Sequence, residues 1–276
     1  MANHTKHKDE EPEPEQKPLK GRRLILEQAT EDALSQLNRS NRGLALSGLS
    51  AGMDIGFSVL MMAVLMTLLT GQVPGVWREI LVANMYPLGF MLVILGRSEL
   101  FTEHTTLAML PLLRGGAGVK QLLRLWGLVY AANIVGGAIF AFILSRLAGS
   151  MGMLESGALV ELSARMTDHG WTDILLNATL AGWMMGLLAW LVAAARDTIS
   201  QIVIIWIITA SIGLAGLSHC IVGNVEVLSG MFSSEFSLGK YLNFLLPTTL
   251  GNSIGGAVFV AVIKYSHVSH SGVEEA

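Results

Sequence analysis

Apolar residues run in six long stretches, at roughly 43–70, 80–112, 120–147, 174–195, 198–232 and 241–265. Each is long enough to cross a bilayer as a helix. The second and fifth are interrupted by less apolar sequence, GRSELFTEHT at 96–105 and GLSHCIVGN at 216–224. Ahead of the first stretch the pattern differs. Leu24, Ile25, Ala29, Ala33, Leu34 and Leu37 recur at helical spacing among Arg22, Arg23, Glu27, Glu31 and Asp32. That spacing predicts an amphipathic helix over 21–41, lying on the membrane surface or on the helix bundle. A solvated helix that only leads into the first span is the alternative. Residues 1–20 are charged and Pro-rich, too poor in large apolar side chains to fold, and are expected to form a disordered cytoplasmic tail. A transmembrane domain over 42–268 and a short cytoplasmic tail over 269–276 complete the expected organisation.

Composition agrees with the pattern. Of 276 residues, 52% are hydrophobic and 14% charged, against about 25% charged in soluble domains. The chain reads as an all-α integral membrane protein. A net charge of −3 gives no sign of a nucleic-acid partner, and the single cysteine, Cys220, excludes an internal disulfide. The first 41 residues hold no apolar signal core, so no cleaved signal peptide is expected. Basic residues set the orientation. The amino-terminal segment with Arg114, Lys120, Arg124 and Arg196 outweighs Arg78, Arg165 and Lys240 on the other side. Both termini are therefore expected in the cytoplasm, with the loop over 148–172 outside a multi-pass cell (inner) membrane protein.

The sequence also repeats. ANIVGGAIF (132–140) matches GNSIGGAVF (251–259), AGMDIG (51–56) matches AGWMMG (181–186), and GRSE (96–99) matches GLSH (216–219). The matches keep their order at offsets of 119, 130 and 120 residues. Each half holds three spans, an odd number, so the second half is expected to run inverted through the membrane, a plan common among transporters. Backbone that leaves the helix at membrane depth survives only inside protein or beside a water-lined cavity. Paired interruptions therefore point to a substrate path near the midplane.

These residues resemble the formate/nitrite transporter family. ELFTEHT resembles its (D/E)LFT signature, GLSHCIVGN its second signature, and PTTLGNSIGG (247–256) its sixth-span pattern; Trp126, Asn133 and Gly136 fit the third span. The resemblance covers about 43–265. It implies an aquaporin-like fold of six spans with helices 2 and 5 broken. It also implies one pore per protomer, a homopentamer with a non-conducting central hole, and small monovalent anions or their conjugate acids as substrates. Departures are clear. Leu217 and Ser218 stand where the family has an aromatic residue and Glu, and Asn224 sits one residue further from His219 than usual. Met166 stands at the family's lysine position, beside Arg165, with His169 kept, and Gly182 replaces an Asn. They suggest a divergent branch whose substrate need not be formate or nitrite.

His219 is the leading candidate for the pore. An ionisable group at membrane depth is costly and tends to be functional, and an imidazole there can offer a hydrogen bond or a proton to an anion. Leu100 and Phe101 are expected to form an apolar constriction, with Thr102 bonding backbone or His219, and Asn224 nearby. The resemblance places Tyr86, Phe90 and Ile212 among pore-facing residues. Arg165 and His169 are expected to attract anions at the outer mouth. Glu99, Glu103 and His104 are read as stabilisers of the loop or as vestibule residues. Asp54 and Glu226 are expected to satisfy helix ends or protomer contacts, a proton relay being the lesser reading. No cofactor, metal or enzymatic activity is expected, since H-E-x-x-H, P-loop and nucleophile–base patterns are missing from the sequence. The rival readings are a neutral-solute channel and a non-conducting sensor or assembly protein of the same fold.

Overall fold

The computed structural model describes residues 20–150, 152–235 and 237–270. The predicted tails over 1–20 and 269–276 thus lie outside the described residues, except for Lys20, Ser269 and His270.

The described chain is helical throughout. It runs α1 (Arg22–Asn38), α2 (Asn41–Asp54), α3 (Gly56–Leu69), α4 (Gly75–Ala83), α5 (Pro87–Leu95), α6 (Phe101–Leu107) and α7 (Met109–Leu113). It continues through α8 (Val119–Leu147), α9 (Ser156–Thr167), α10 (Trp171–Ala194), α11 (Thr198–Leu214), α12 (Cys220–Ser233) and α13 (Leu238–Ile254). A π-helical stretch, Gly255–Val262, then leads into α14 (Ile263–His270). Among the described residues, five helical segments are long and apolar enough to cross a membrane: Asn41–Leu69, Gly75–Leu95, Val119–Leu147, Trp171–Ala194 and Leu238–His270. Thr198–Leu214 and Cys220–Ser233 are shorter apolar helices.

Helix α1 packs on the bundle. Ile25, Leu26 and Ala29 bury against Leu110, Trp190 and Ala261. Arg124 fixes the end of α1 by donating to the Leu37 carbonyl at 3.0 Å and to Asn41 Oδ1 at 2.6 Å. The last span bends where the sequence reads as one run. Pro247 sits inside α13, and the π-helical stretch follows eight residues later. Proline withholds an N–H and crowds the preceding turn.

Two helix pairs are packed most intimately, α2 with α8 and α10 with α13. Small residues make this possible. A Cβ on Gly136 would lie 2.3 Å from the Leu49 carbonyl oxygen, and one on Gly182 would lie 2.3 Å from that of Asn252. Neither backbone can retreat without opening the pair. The outward faces carry Val135, Leu176, Ile207 and Leu246 exposed, as lipid or neighbouring protomers require. Gly136→Ala and Gly182→Ala should each lower the melting temperature of the detergent-solubilised protein markedly. Gly127→Ala, with open space around its Cβ, should instead be neutral or stabilising by about 0.5–1 kcal/mol. Equal melting temperatures for all three would contradict the close-packing account.

Candidate functional site

The site is built from two interruptions of the helical chain. Helix α5 ends at Leu95, Arg97 takes a positive φ of 55°, and the chain runs extended to Leu100 before α6 begins at Phe101. Helix α11 ends at Leu214, Gly216 takes φ 62°, and α12 begins at Cys220 after an extended His219. The turns share their hydrogen bonds, Ser98 N–H to the Val93 carbonyl and Leu217 N–H to the Ile212 carbonyl, each 3.0 Å. Arg97 is the only non-glycine residue with positive φ among the described residues. A side chain there is strained, and such strain concentrates at functional sites.

Two buried asparagines hold the interruptions. Asn133 Oδ1 accepts from Phe101 N–H at 2.9 Å, while its Nδ2 donates to the carbonyls of Gly48 (2.7 Å) and Glu99 (2.9 Å). Asn252 Oδ1 accepts from Cys220 N–H at 2.8 Å, while its Nδ2 donates to Ala178 (2.8 Å) and Ser218 (2.9 Å). A second support repeats as well. Ser47 Oγ accepts from Glu99 N–H at 3.1 Å, and Asn177 Oδ1 accepts from Ser218 N–H at 2.6 Å. Every partner in one half has its counterpart 119 or 130 residues on in the other.

This correspondence corrects the repeat by one residue. GRSE and GLSH align by eye at 120 residues, which pairs Glu99 with His219. The backbone pairs Leu100 with His219, at φ/ψ of −105°/127° and −112°/127°. His219 therefore stands immediately before α12, as its N-cap. Its Nδ1 accepts from the N–H groups of Ile221 (3.3 Å) and Val222 (3.2 Å). With Nδ1 accepting, the ring proton sits on Nε2 and donates to Thr102 Oγ1 at 2.8 Å.

Around this contact the expected residues divide. The Phe90 ring meets the His219 imidazole edge-on at 5.2 Å and stacks with Tyr86 at 5.4 Å. Leu100 is fully buried. The Phe101 ring turns towards α8, edge-on to Tyr130 at 4.9 Å and to Trp126 at 6.1 Å. Asn224 also turns away. It accepts from the Tyr241 hydroxyl at 2.7 Å and donates to the Ile134 carbonyl at 3.2 Å.

Cavities lie at both ends of α5. One of about 390 Å³ is lined by Tyr86 and Ile212 with Glu79, Arg165, His169 and Glu226. The other, about 730 Å³, is lined by Arg97, Glu99, Glu103 and His104 with Gln36 of α1 and Thr198. Helix α11 spans the same two cavities in the opposite sense. Phe90, Leu100, Thr102 and His219 line neither and are buried.

Charges at the cavities are mostly paired. Arg165 donates to both Glu79 oxygens and to Glu161 at 2.6 Å, and Arg78 holds Glu161 through two bonds at 2.9 and 2.8 Å. The Arg78 bonds first, then Arg165, hold the Glu161 carboxyl down at about 2. Arg165, expected to project an attracting field, is thus matched by two carboxylates. In the other cavity Glu99 accepts from Arg39 at 2.8 Å and from His104 Nε2, while His104 Nδ1 has no partner among the described residues. Asp54 accepts from Ser50 Oγ at 3.1 Å. Sequence reasoning missed Asn177, Asn252 and Ser47 as individual residues. Asn252 had a signal, an asparagine at the same place in both Gly-Gly repeats.

The sequence model of the formate/nitrite transporter family matches residues 23–266. "Inner membrane protein YfdC" of Escherichia coli (strain K12) is 31% identical over 248 residues, covering 88% of this chain and 78% of that protein. Two solved structures share the fold. An "FNT family ion channel" has a TM-score of 0.78 at 21% identity, covering 88% of this chain and 98% of its own. A "Pentameric formate channel with formate bound" has a TM-score of 0.71 at 23% identity, covering 83% and 98%. The chain belongs to the formate/nitrite transporter family.

Asn252→Leu should strand the Cys220 N–H and the Ser218 carbonyl, at about 1–3 kcal/mol for each buried group, and remove a second bond from the Ala178 carbonyl, which lies within α10. Asn177→Ala strands the buried Ser218 N–H and leaves the Gly216 carbonyl without its donor; Gly216 is exposed at the cavity, so only one buried group is lost and the loss should be smaller. Thermal unfolding in detergent tests the order; Asn252→Leu melting with the parent would contradict the clamp.

Proposed function

We propose that each protomer is a pore for small monovalent anions or their conjugate acids, of the formate or nitrite class. The observation that carries this reading is the Thr102–His219 contact, made where the two interruptions meet between two cavities. Six spans follow if α4 to α7 form the second and α11 with α12 the fifth. The termini then lie in the cytoplasm of an inner-membrane protein, the α1 cavity faces inward, and the Arg165 cavity faces outward. The family membership and the pentameric formate channel of like fold support a homopentamer.

In this reading Phe90 and Leu100 form the apolar constriction, with Tyr86 and Ile212 at its outer end. A bare anion cannot cross such a region cheaply. His219 Nε2–H and the Thr102 hydroxyl supply the hydrogen bonds there. Because Nδ1 is committed to capping α12, His219 acts as a fixed donor, and the anion crosses as its neutral acid. Arg165 and His169 order the outer mouth. Phe101 and Asn224 hold the helices that frame the path.

Flux of formate, nitrite, acetate and hydrosulfide into liposomes tests the reading, with mass measurement of the assembly alongside. The parent protein should be pentameric and carry at least one of the first two, faster as pH falls. His219→Asn keeps a capping side chain and should conduct with altered selectivity, whereas His219→Phe should close the path. A parent protein that carries none of the four would favour the non-conducting sensor reading.

A further inference from the structure

Glu226 is not used by the path described above. It lies on α12, seven residues and thus two turns beyond His219, on the same helix face and about 10 Å along the axis. Its side chain is 3% exposed, and it lines the cavity of Tyr86, Ile212, Arg165 and His169. The sequence suggested a helix-end or protomer role, with a proton relay as the lesser reading. Within the protomer its carboxyl group has no hydrogen-bond or ion-pair partner among the described residues, and only its backbone carbonyl is engaged by a side chain, accepting from Ser229 Oγ at 3.1 Å.

An unpaired carboxylate out of water is costly, and buried carboxylates are paired, hydrogen-bonded or protonated. The charged groups facing this cavity do not complete the set. From α4, Glu79 is taken by Arg165; from α9, Arg165 already holds Glu79 and Glu161. His169 lies on the turn before α10, and α10 itself offers Asn177, which is spent on the α11–α12 interruption. Tyr86 lines the wall; Tyr241 of α13 points its hydroxyl at Asn224. The contributions to this cavity from α3 and α12 include no titratable side chain other than Glu226, and α6, α8 and α13 contribute none. The two guanidinium groups and two carboxylates of the Arg78–Glu79–Glu161–Arg165 network sum to zero net charge, and Arg165 acts on Glu226 through its field, without a bond. The missing partner of Glu226 must come from the cavity.

We propose that Glu226 is the proton-loading group of this vestibule, binding a small monovalent oxyanion as a carboxylic acid and handing it the proton with which it crosses. The inference rests on the transport reading above. In the step, the Glu226 O–H bond breaks and an O–H bond forms on the anion, giving the neutral acid and a Glu226 carboxylate. The acid moves on to Thr102 and His219. A hydronium ion from the outer solution restores the Glu226 proton, so one anion and one proton cross together and charge balances.

The full-length protein in liposomes, with formate and nitrite as probes, tests this over a range of pH. Glu226→Gln keeps shape and hydrogen-bond donation but has no proton to give. It should lower flux about 10-fold or more where the parent is active and flatten the pH profile, while Glu226→Asp restores the slope. Infrared difference spectra on adding formate should show loss of a protonated-carboxyl band in the parent, absent from Glu226→Gln. If Glu226→Gln fails to assemble, Glu226→Asp and the parent spectrum decide. A Glu226→Gln protein with the parental rate and pH profile, or a parent spectrum without the band change, overturns the inference and leaves the transport reading standing. A parent that carries neither anion overturns both.

Discussion

Peptide groups cannot be left unpaired in an apolar interior, and this chain twice leaves the helix there. Each interruption frees N–H and carbonyl groups that hydrocarbon cannot satisfy. Asn133 and Asn252 answer that demand, each with one acceptor and two donors used in full. The requirement propagates outward. An asparagine can reach across only if its helix lies almost against the next, which is why glycines line the α2–α8 and α10–α13 contacts. The close-packed pairs, the interruptions and the position of His219 are therefore one device used twice.

The scaffold is symmetric and its chemistry is not. Where one half places Leu100 at the head of α6, the other places His219 at the head of α12. One member of the pair is apolar and the other donates a hydrogen bond to Thr102, whose own counterpart is Ile221. The two cavities diverge too. Beside α1, Glu99 is bound by Arg39 and His104; beside α9, Glu79 and Glu161 are bound by arginines while Glu226 is left free for the cavity. A site with a polarity of its own thus arises from a duplicated frame.

Much of this was legible in the sequence because it is local or repeated. The apolar runs, the two interruptions and the paired Gly-Gly motifs are strings of adjacent residues, and His219 and Thr102 stood out within them. The register slipped by one because Gly216 occupies the place of Arg97, so matching glycine to glycine misaligns the turns. Only one partner of Arg165 stands at a readable spacing, Glu161 one helical turn away; Glu79 lies 86 residues away. Nor could spacing tell that the Phe101 ring turns to Trp126 and Tyr130, or that the face of α1 rests on the bundle, since each depends on how separate helices dock.

The central claim is that the two interruptions meet on a continuous path at Thr102 and His219. Thr102→Cys in a Cys220→Ser background places one thiol at that contact. Silver ions or a small thiosulfonate should then abolish formate flux into liposomes, formate should slow the modification, and the Cys220→Ser parent should be unaffected. Full modification of the Thr102→Cys thiol with flux unchanged would contradict the account.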